Sequence, residues 1–160
     1  MPGRAIMPEQ ATTSPKNIVI LSDGTGNSSA KAEKTNVWRM FQALDQSGPS
    51  QIALYDDGVG TSRNKYLAAF GGAFGWGLKR NAIHLYKFIC QNYVAGDDIF
   101  CFGFSRGSFT IRVVVGLIAS EGLVTFRTVE ELNRSAAAAY RRYRSVHFPS
   151  KSPFIVGMRW

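Results

Sequence analysis

At 160 residues, 45% of them hydrophobic and 19% charged, the chain is long enough for one domain with its own core, too short for two, and too apolar to be disordered throughout. Its 19 basic residues against 11 acidic ones leave a net charge of +8, which points away from cationic partners and toward anionic ones, or simply toward solubility. Two cysteines without metal-ligand spacing and only two histidines give no zinc site, and no metal or cofactor is expected.

Residues 1–15, punctuated by Pro2, Pro8 and Pro15, read as a flexible tail without the apolar core of a signal peptide, and 16–160 as one domain. Synthesis in the cytoplasm is the expectation. Ile18-Val19-Ile20-Leu21 is an unbroken apolar run suited to a parallel strand buried on both faces, and it runs into the loop Ser22-Asp23-Gly24-Thr25-Gly26-Asn27. Val37, Met40, Phe41 and Leu44 have helical spacing behind a Thr35 or Asn36 cap, and Ser47-Gly48-Pro49 stops that helix.

A strand over 51–55 leads into Asp56-Asp57-Gly58-Val59-Gly60-Thr61. The glycine- and aromatic-rich stretch 67–77 reads as a close-packed connection, and a helix is predicted over 78–93 with Ala82, Leu85, Tyr86, Ile89 and Tyr93 as its core face. The strand 99–102 follows, then Gly103-Phe104-Ser105-Arg106-Gly107, then a helix over 108–120 so apolar that it should be buried all round. A basic helix over 129–145 is capped by Thr128, and Pro153-Phe154-Ile155-Val156-Gly157 reads as a last strand. Cys90 and Cys101 fall inside elements, as small reduced hydrophobes. The alternation of strands and helices predicts an α/β fold with a mostly parallel sheet flanked by helices.

In such a sheet the strands' carboxyl ends gather Asp23, Asp56, Asp57 and Ser105 on one edge. Glycines two before and two after Ser105 suit a turn tight enough to lift a serine hydroxyl clear of the sheet. As a nucleophile, Ser105 would find one oxyanion donor in the Arg106 N–H and a second in the loop of Asp23, Gly24 and Thr25. The competing readings are a helix-capping serine and an ordinary strand-to-helix loop. Leu21, two before Asp23, removes the aspartate that a haloacid-type phosphatase requires, and no Gly-Lys-Ser/Thr of a phosphate-binding loop occurs. The acid and base of a triad are not evident: no aspartate follows Ser105, His147 precedes the last strand, and His84 lies opposite its helix's apolar face.

Asn17-Ile18-Val19 leading into Ser22-Asp23-Gly24-Thr25-Gly26-Asn27, then Thr35-Asn36-Val37, Tyr55-Asp56-Asp57-Gly58-Val59-Gly60-Thr61, Gly72-Ala73-Phe74-Gly75-Trp76-Gly77-Leu78 and the serine turn, in this order, resemble the domain of unknown function 2235 family. That family is similar to the catalytic domain of type VI secretion phospholipase effectors. The resemblance implies an α/β-hydrolase fold, a serine nucleophile at Ser105, an ester or phospholipid substrate and non-classical export as an effector. Asp57 stands where the family has proline, and Ser108 where it commonly has alanine. Members also continue past this length, so the chain is expected to be the N-terminal part of a hydrolase domain, weakly active or inactive alone. The alternative is an inactive remnant or binding module whose basic helix around Arg141 engages an anionic membrane surface or protein. No nucleic-acid partner is expected, and the oligomeric state is open.

Overall fold

Four consecutive apolar residues can all be satisfied only where a strand is covered on both sides, and Ile18, Val19, Ile20 and Leu21 are all buried. The computed structural model describes residues 14–24, 34–58 and 73–148. β1 (Asn17–Ser22) is the middle strand of a three-stranded parallel sheet ordered β2-β1-β3, with β2 at Gln51–Asp56 and β3 at Asp98–Gly103. The register is flush: Asn17 stands beside Gln51 and Asp98, and Ser22 beside Asp56 and Gly103, so the three strands end on one line.

Alternate residues of β1 feed two cores. Val19 and Leu21 meet Val37 of α1 (Asn36–Ala43), with Met40, Phe41 and Leu44 around them. Ile18 and Ile20 face the other way, into a larger core built with α2 (Ala73–Asn92), α3 (Arg106–Glu121) and α4 (Val129–His147). Helices divide between the faces because the path from β1 to β2 and the path from β2 to β3 run in opposite directions across the sheet; crossovers of one hand then put their helices on opposite sides. The α/β architecture expected from the alternation is present.

Local chemistry sets the helix ends. Thr35 accepts the Trp38 N–H at 3.1 Å and starts α1; Thr128 accepts the Glu131 N–H at 3.1 Å and starts α4, while Glu131 reaches back to the Arg127 N–H at 2.8 Å. Ala82, Leu85, Tyr86 and Ile89 form the buried stripe of α2. Cys90 and Cys101 pack against this core as free thiols, and burial pushes the Cys101 thiol up to about 11.

Three expectations need correction. α2 begins at Ala73, so residues 73–77 are helical: glycine lowers helix propensity, but propensity is a weak prior against a 20-residue helix seated on the core. Tyr93 lies beyond the end of α2 and is 38% exposed, because the 3.6-residue period lapses where the helix stops. The helix after the serine turn is not buried all round: Ile111, Val114 and Leu117 face the core, whereas Phe109 and Val115 are 41% and 48% exposed, with no described element on that side. The expected strand 153–157, most of the connection 67–77 and Thr25 lie outside the described residues.

The fully buried Tyr86 ties α2 to the link between α3 and α4: its hydroxyl donates to the Gly122 carbonyl at 2.7 Å and accepts the Val124 N–H at 3.2 Å. Tyr86→Phe strands both backbone groups and is expected to destabilise the fold by about 1–3 kcal/mol, read as a lower urea midpoint with an unchanged m-value.

Candidate functional site

The turn after β3 is built against the end of β1. Phe104 donates its N–H to the Ser22 carbonyl at 3.1 Å, and α3 starts at Arg106. Between them Ser105 has φ 53° and ψ −122°, the one non-glycine residue at positive φ among the described residues. A side chain held in that region costs about 1–3 kcal/mol and persists only where the surroundings impose it. Its exposed hydroxyl makes no capping hydrogen bond to α3, so the helix start does not account for it. Gly107 N–H donates to the Phe104 carbonyl at 2.9 Å and Ser108 N–H to the Ser105 carbonyl at 3.1 Å. Among the described residues nothing accepts the Arg106 N–H, which belongs to the first helical turn, where no intrahelical acceptor exists. Ser108, in place of the alanine expected from the resemblance, braces the turn by donating its hydroxyl to the Gly103 carbonyl at 2.7 Å.

What imposes the conformation is backbone contact. A Cβ on Gly107 would fall 2.1 Å from the Ser22 oxygen and 2.6 Å from that of Asp23; from the other side, a Cβ on Gly58 would fall 2.3 Å from the Asp23 oxygen. Gly58 also has φ 78°. The backbone of Ser22 and Asp23 is therefore gripped between the loops that follow β2 and β3, and only glycine permits either approach.

Asp23 is 1% exposed and its carboxylate is fully occupied. Oδ1 accepts the Gly24 N–H at 2.7 Å; Oδ2 accepts the Tyr55 hydroxyl at 2.7 Å and a short hydrogen bond from the Thr35 hydroxyl. The Gly24 N–H, expected to face a substrate oxygen, is thus engaged by Asp23. Tyr55 lies between Trp38 and Phe41, at ring separations of 4.8 and 5.4 Å, and its phenol is pushed well above the usual tyrosine range, first by burial and then by the hydrogen bond to Asp23.

Asp56 is held as well: it accepts the Ser22 hydroxyl at 2.9 Å and the Asn81 amide at 3.0 and 3.2 Å. Asp57 follows on the same edge, half-buried, and its charge adds to the upward push on Tyr55. His84 is exposed on α2 and His147 stacks on Tyr143 at 4.8 Å; neither is hydrogen-bonded to Ser105. No group of His, Cys, Asp and Glu among the described residues could hold a metal ion. Thr35, Tyr55 and Asn81 did not stand out in the sequence as partners of the two aspartates. The only signal was that a buried carboxylate must find donors, and these are distant in the chain.

These features define a parallel α/β domain whose strand-end line carries an exposed serine in a backbone-strained strand-to-helix turn. The chain belongs to the family of T6SS phospholipase effector Tle1-like catalytic domains, whose family model matches residues 16–154, as the motif resemblance led us to expect. It is 29% identical over 154 residues to the uncharacterized protein YEL023C of Saccharomyces cerevisiae, a match covering 88% of this chain and 22% of that protein. The chain thus spans about a fifth of the length of that curated relative. No solved structure matches it.

Asp23→Asn replaces one acceptor oxygen by an amide that must face donors; we expect a loss of about 1–3 kcal/mol in urea unfolding, with Thr35→Val weakening the same network. Stability should also fall as pH rises above about 10: there the unfolded chain has released its tyrosine protons while Tyr55 in the fold still holds its own, so the unfolded state binds fewer protons. Tyr55→Phe should lessen that alkaline decline in melting experiments, leaving the share of Tyr86, whose phenol burial also raises.

Proposed function

We propose that the domain is a serine hydrolase acting on the carboxylic ester bonds of phospholipids, with Ser105 as nucleophile. The observation that carries this reading is the strained backbone of Ser105, φ 53° and ψ −122°, with its hydroxyl outward and unused by the helix. Strained residues of this kind cluster at active sites. Membership in a family of phospholipase effector catalytic domains supports a lipase-like hydrolase.

In this reading the Ser105 oxygen attacks the ester carbonyl carbon, its proton passes to a base, and the lipid alcohol leaves. Water then releases the fatty acid from the acyl-serine. The Arg106 N–H and the positive end of α3 receive the developing oxyanion. The Gly24 N–H is engaged by Asp23, so among the described residues the Arg106 N–H is the donor left for the oxyanion. Asp23, Asp56 and Asp57 act as supports of the edge rather than as the acid of a triad. Neither His84 nor His147 serves as base, so the chain by itself is a slow catalyst. The family's description also leads us to propose export as an effector, with action at a membrane; among the described residues no helix is long and apolar enough to cross one.

A fluorophosphonate probe with intact-mass and peptide analysis tests the nucleophile. Ser105 should carry the adduct, Ser105→Ala should abolish it, and short-chain ester turnover should exceed the uncatalysed rate by no more than about 10³–10⁴-fold, the level left when a triad member is absent. An adduct elsewhere would remove Ser105 from the mechanism; fast turnover lost in Ser105→Ala would show that the chain supplies its own base.

A further inference from the structure

The cleft between the end of β2 and the outer side of α2 has no part in the ester chemistry. It holds about 590 Å³, and Asp56, Lys79, Arg80, Asn81, His84 and Lys87 line it. Three cations and one carboxylate therefore line it, and that carboxylate is already engaged by the Ser22 hydroxyl and the Asn81 amide. Lys79 and Arg80 form no ion pair among the described residues, and Lys87 donates only to the neutral Asn133 side chain, at 2.7 Å. On α4, by contrast, Arg142 is paired with Glu121 at 2.6 Å, and Glu130 and Glu131 occupy the first turn. Arg134, Arg141 and Arg144 of α4 likewise form no ion pair among the described residues; what sets α2 apart is that its three cations line one cleft.

Lysine and arginine converging on an open cleft are a natural receptor for phosphate oxygens, through charge-assisted hydrogen bonds. We propose that this cleft seats the phosphate of an anionic phospholipid headgroup at a membrane surface. Lys79 and Lys87 lie about 12 Å apart along α2, with Arg80 and His84 between them, a spread that suits a headgroup at an interface. No Phe, Tyr or Trp is among the described residues lining the cleft, so a nucleic acid would find no stacking platform. The net charge of +8 acts on many headgroups at once at an anionic bilayer, whereas a soluble phosphate offers it a single anion. Asp56 is in register with Gly103 two strands away, about 10 Å across the edge. The Asp56 end of the cleft and the serine turn thus share one end of the sheet; use of the cleft to present a lipid to Ser105 rests on the hydrolase reading, whereas headgroup binding does not.

Vesicle flotation of the Ser105→Ala chain tests binding independently of catalysis. The chain should float with phosphatidylcholine vesicles containing phosphatidylglycerol, not with phosphatidylcholine alone, and less as salt rises. The triple variant Lys79→Glu, Arg80→Glu, Lys87→Glu should lower the apparent affinity by at least about tenfold. The equal charge change Arg134→Glu, Arg141→Glu, Arg144→Glu on α4 should lower it by less than a third of that factor. Circular dichroism checks folding, and the milder Lys79→Gln, Arg80→Gln, Lys87→Gln variant replaces the reversal if it unfolds. Equal losses from α2 and α4, or full binding by the α2 variant, overturns the proposal in favour of diffuse charge. Displacement from the vesicles by inorganic phosphate at concentrations too low for general screening would overturn the lipid assignment in favour of a soluble phosphate. Failure to float together with a Ser105 adduct would sink the headgroup site and leave the hydrolase reading standing.

Discussion

The carbonyl oxygens of Ser22 and Asp23 lie so close to Gly107 that no side-chain carbon fits between them, and this backbone-on-backbone contact is the constraint on which the rest of the edge depends. It draws the start of α3 onto the end of β1, and the chain between β3 and α3 must then make its turn within Phe104 and Ser105. Positive φ at Ser105 follows from that shortage of chain rather than from any preference of serine. Gly58 applies the same pressure from the side of β2, so the middle strand's end cannot move to relieve the strain.

Asp23 completes the arrangement from within. A carboxylate this deeply buried is tolerated only when its oxygens are saturated with donors. Its three partners come from its own loop, from the cap of α1 and from the end of β2. One side chain thereby couples the loop after β1 to both elements on its side of the sheet. Asp56 does the corresponding work toward α2 through Asn81. The carboxylates gathered at the strand ends thus form a frame that ties the end of β1 to α1, β2 and α2.

Charge is distributed by a different logic from the core. The arginines of α4 share their helix with glutamates and one is ion-paired, as expected of a solvated helix face. The cations of α2 instead border a cleft next to the strand-end line, with Asp56 as its one carboxylate among the described residues. Which cations share a cleft and which are dispersed along a helix is invisible in the net charge.

The sequence by itself determined the three strands 17–22, 51–56 and 98–103 to within a residue or two, the Thr128 cap, the strand-to-helix turn at Ser105 and the family. Unbroken apolar runs, cap residues and glycines at fixed offsets are local signals, and each constrains the backbone within a few residues of itself. It misjudged the start of α2, where glycine content argued against a helix that packing sustains, and the burial of α3, because composition says how apolar a helix is but not which neighbours cover it. Only the tertiary structure decided that Asp23 is saturated by Thr35, Tyr55 and its own loop, that the Gly24 N–H is engaged, and that Lys79, Arg80 and Lys87 share a cleft with Asp56. Those facts depend on contacts between residues far apart in the chain, and a hydrogen bond or a cavity exists only once the fold has brought its two sides together.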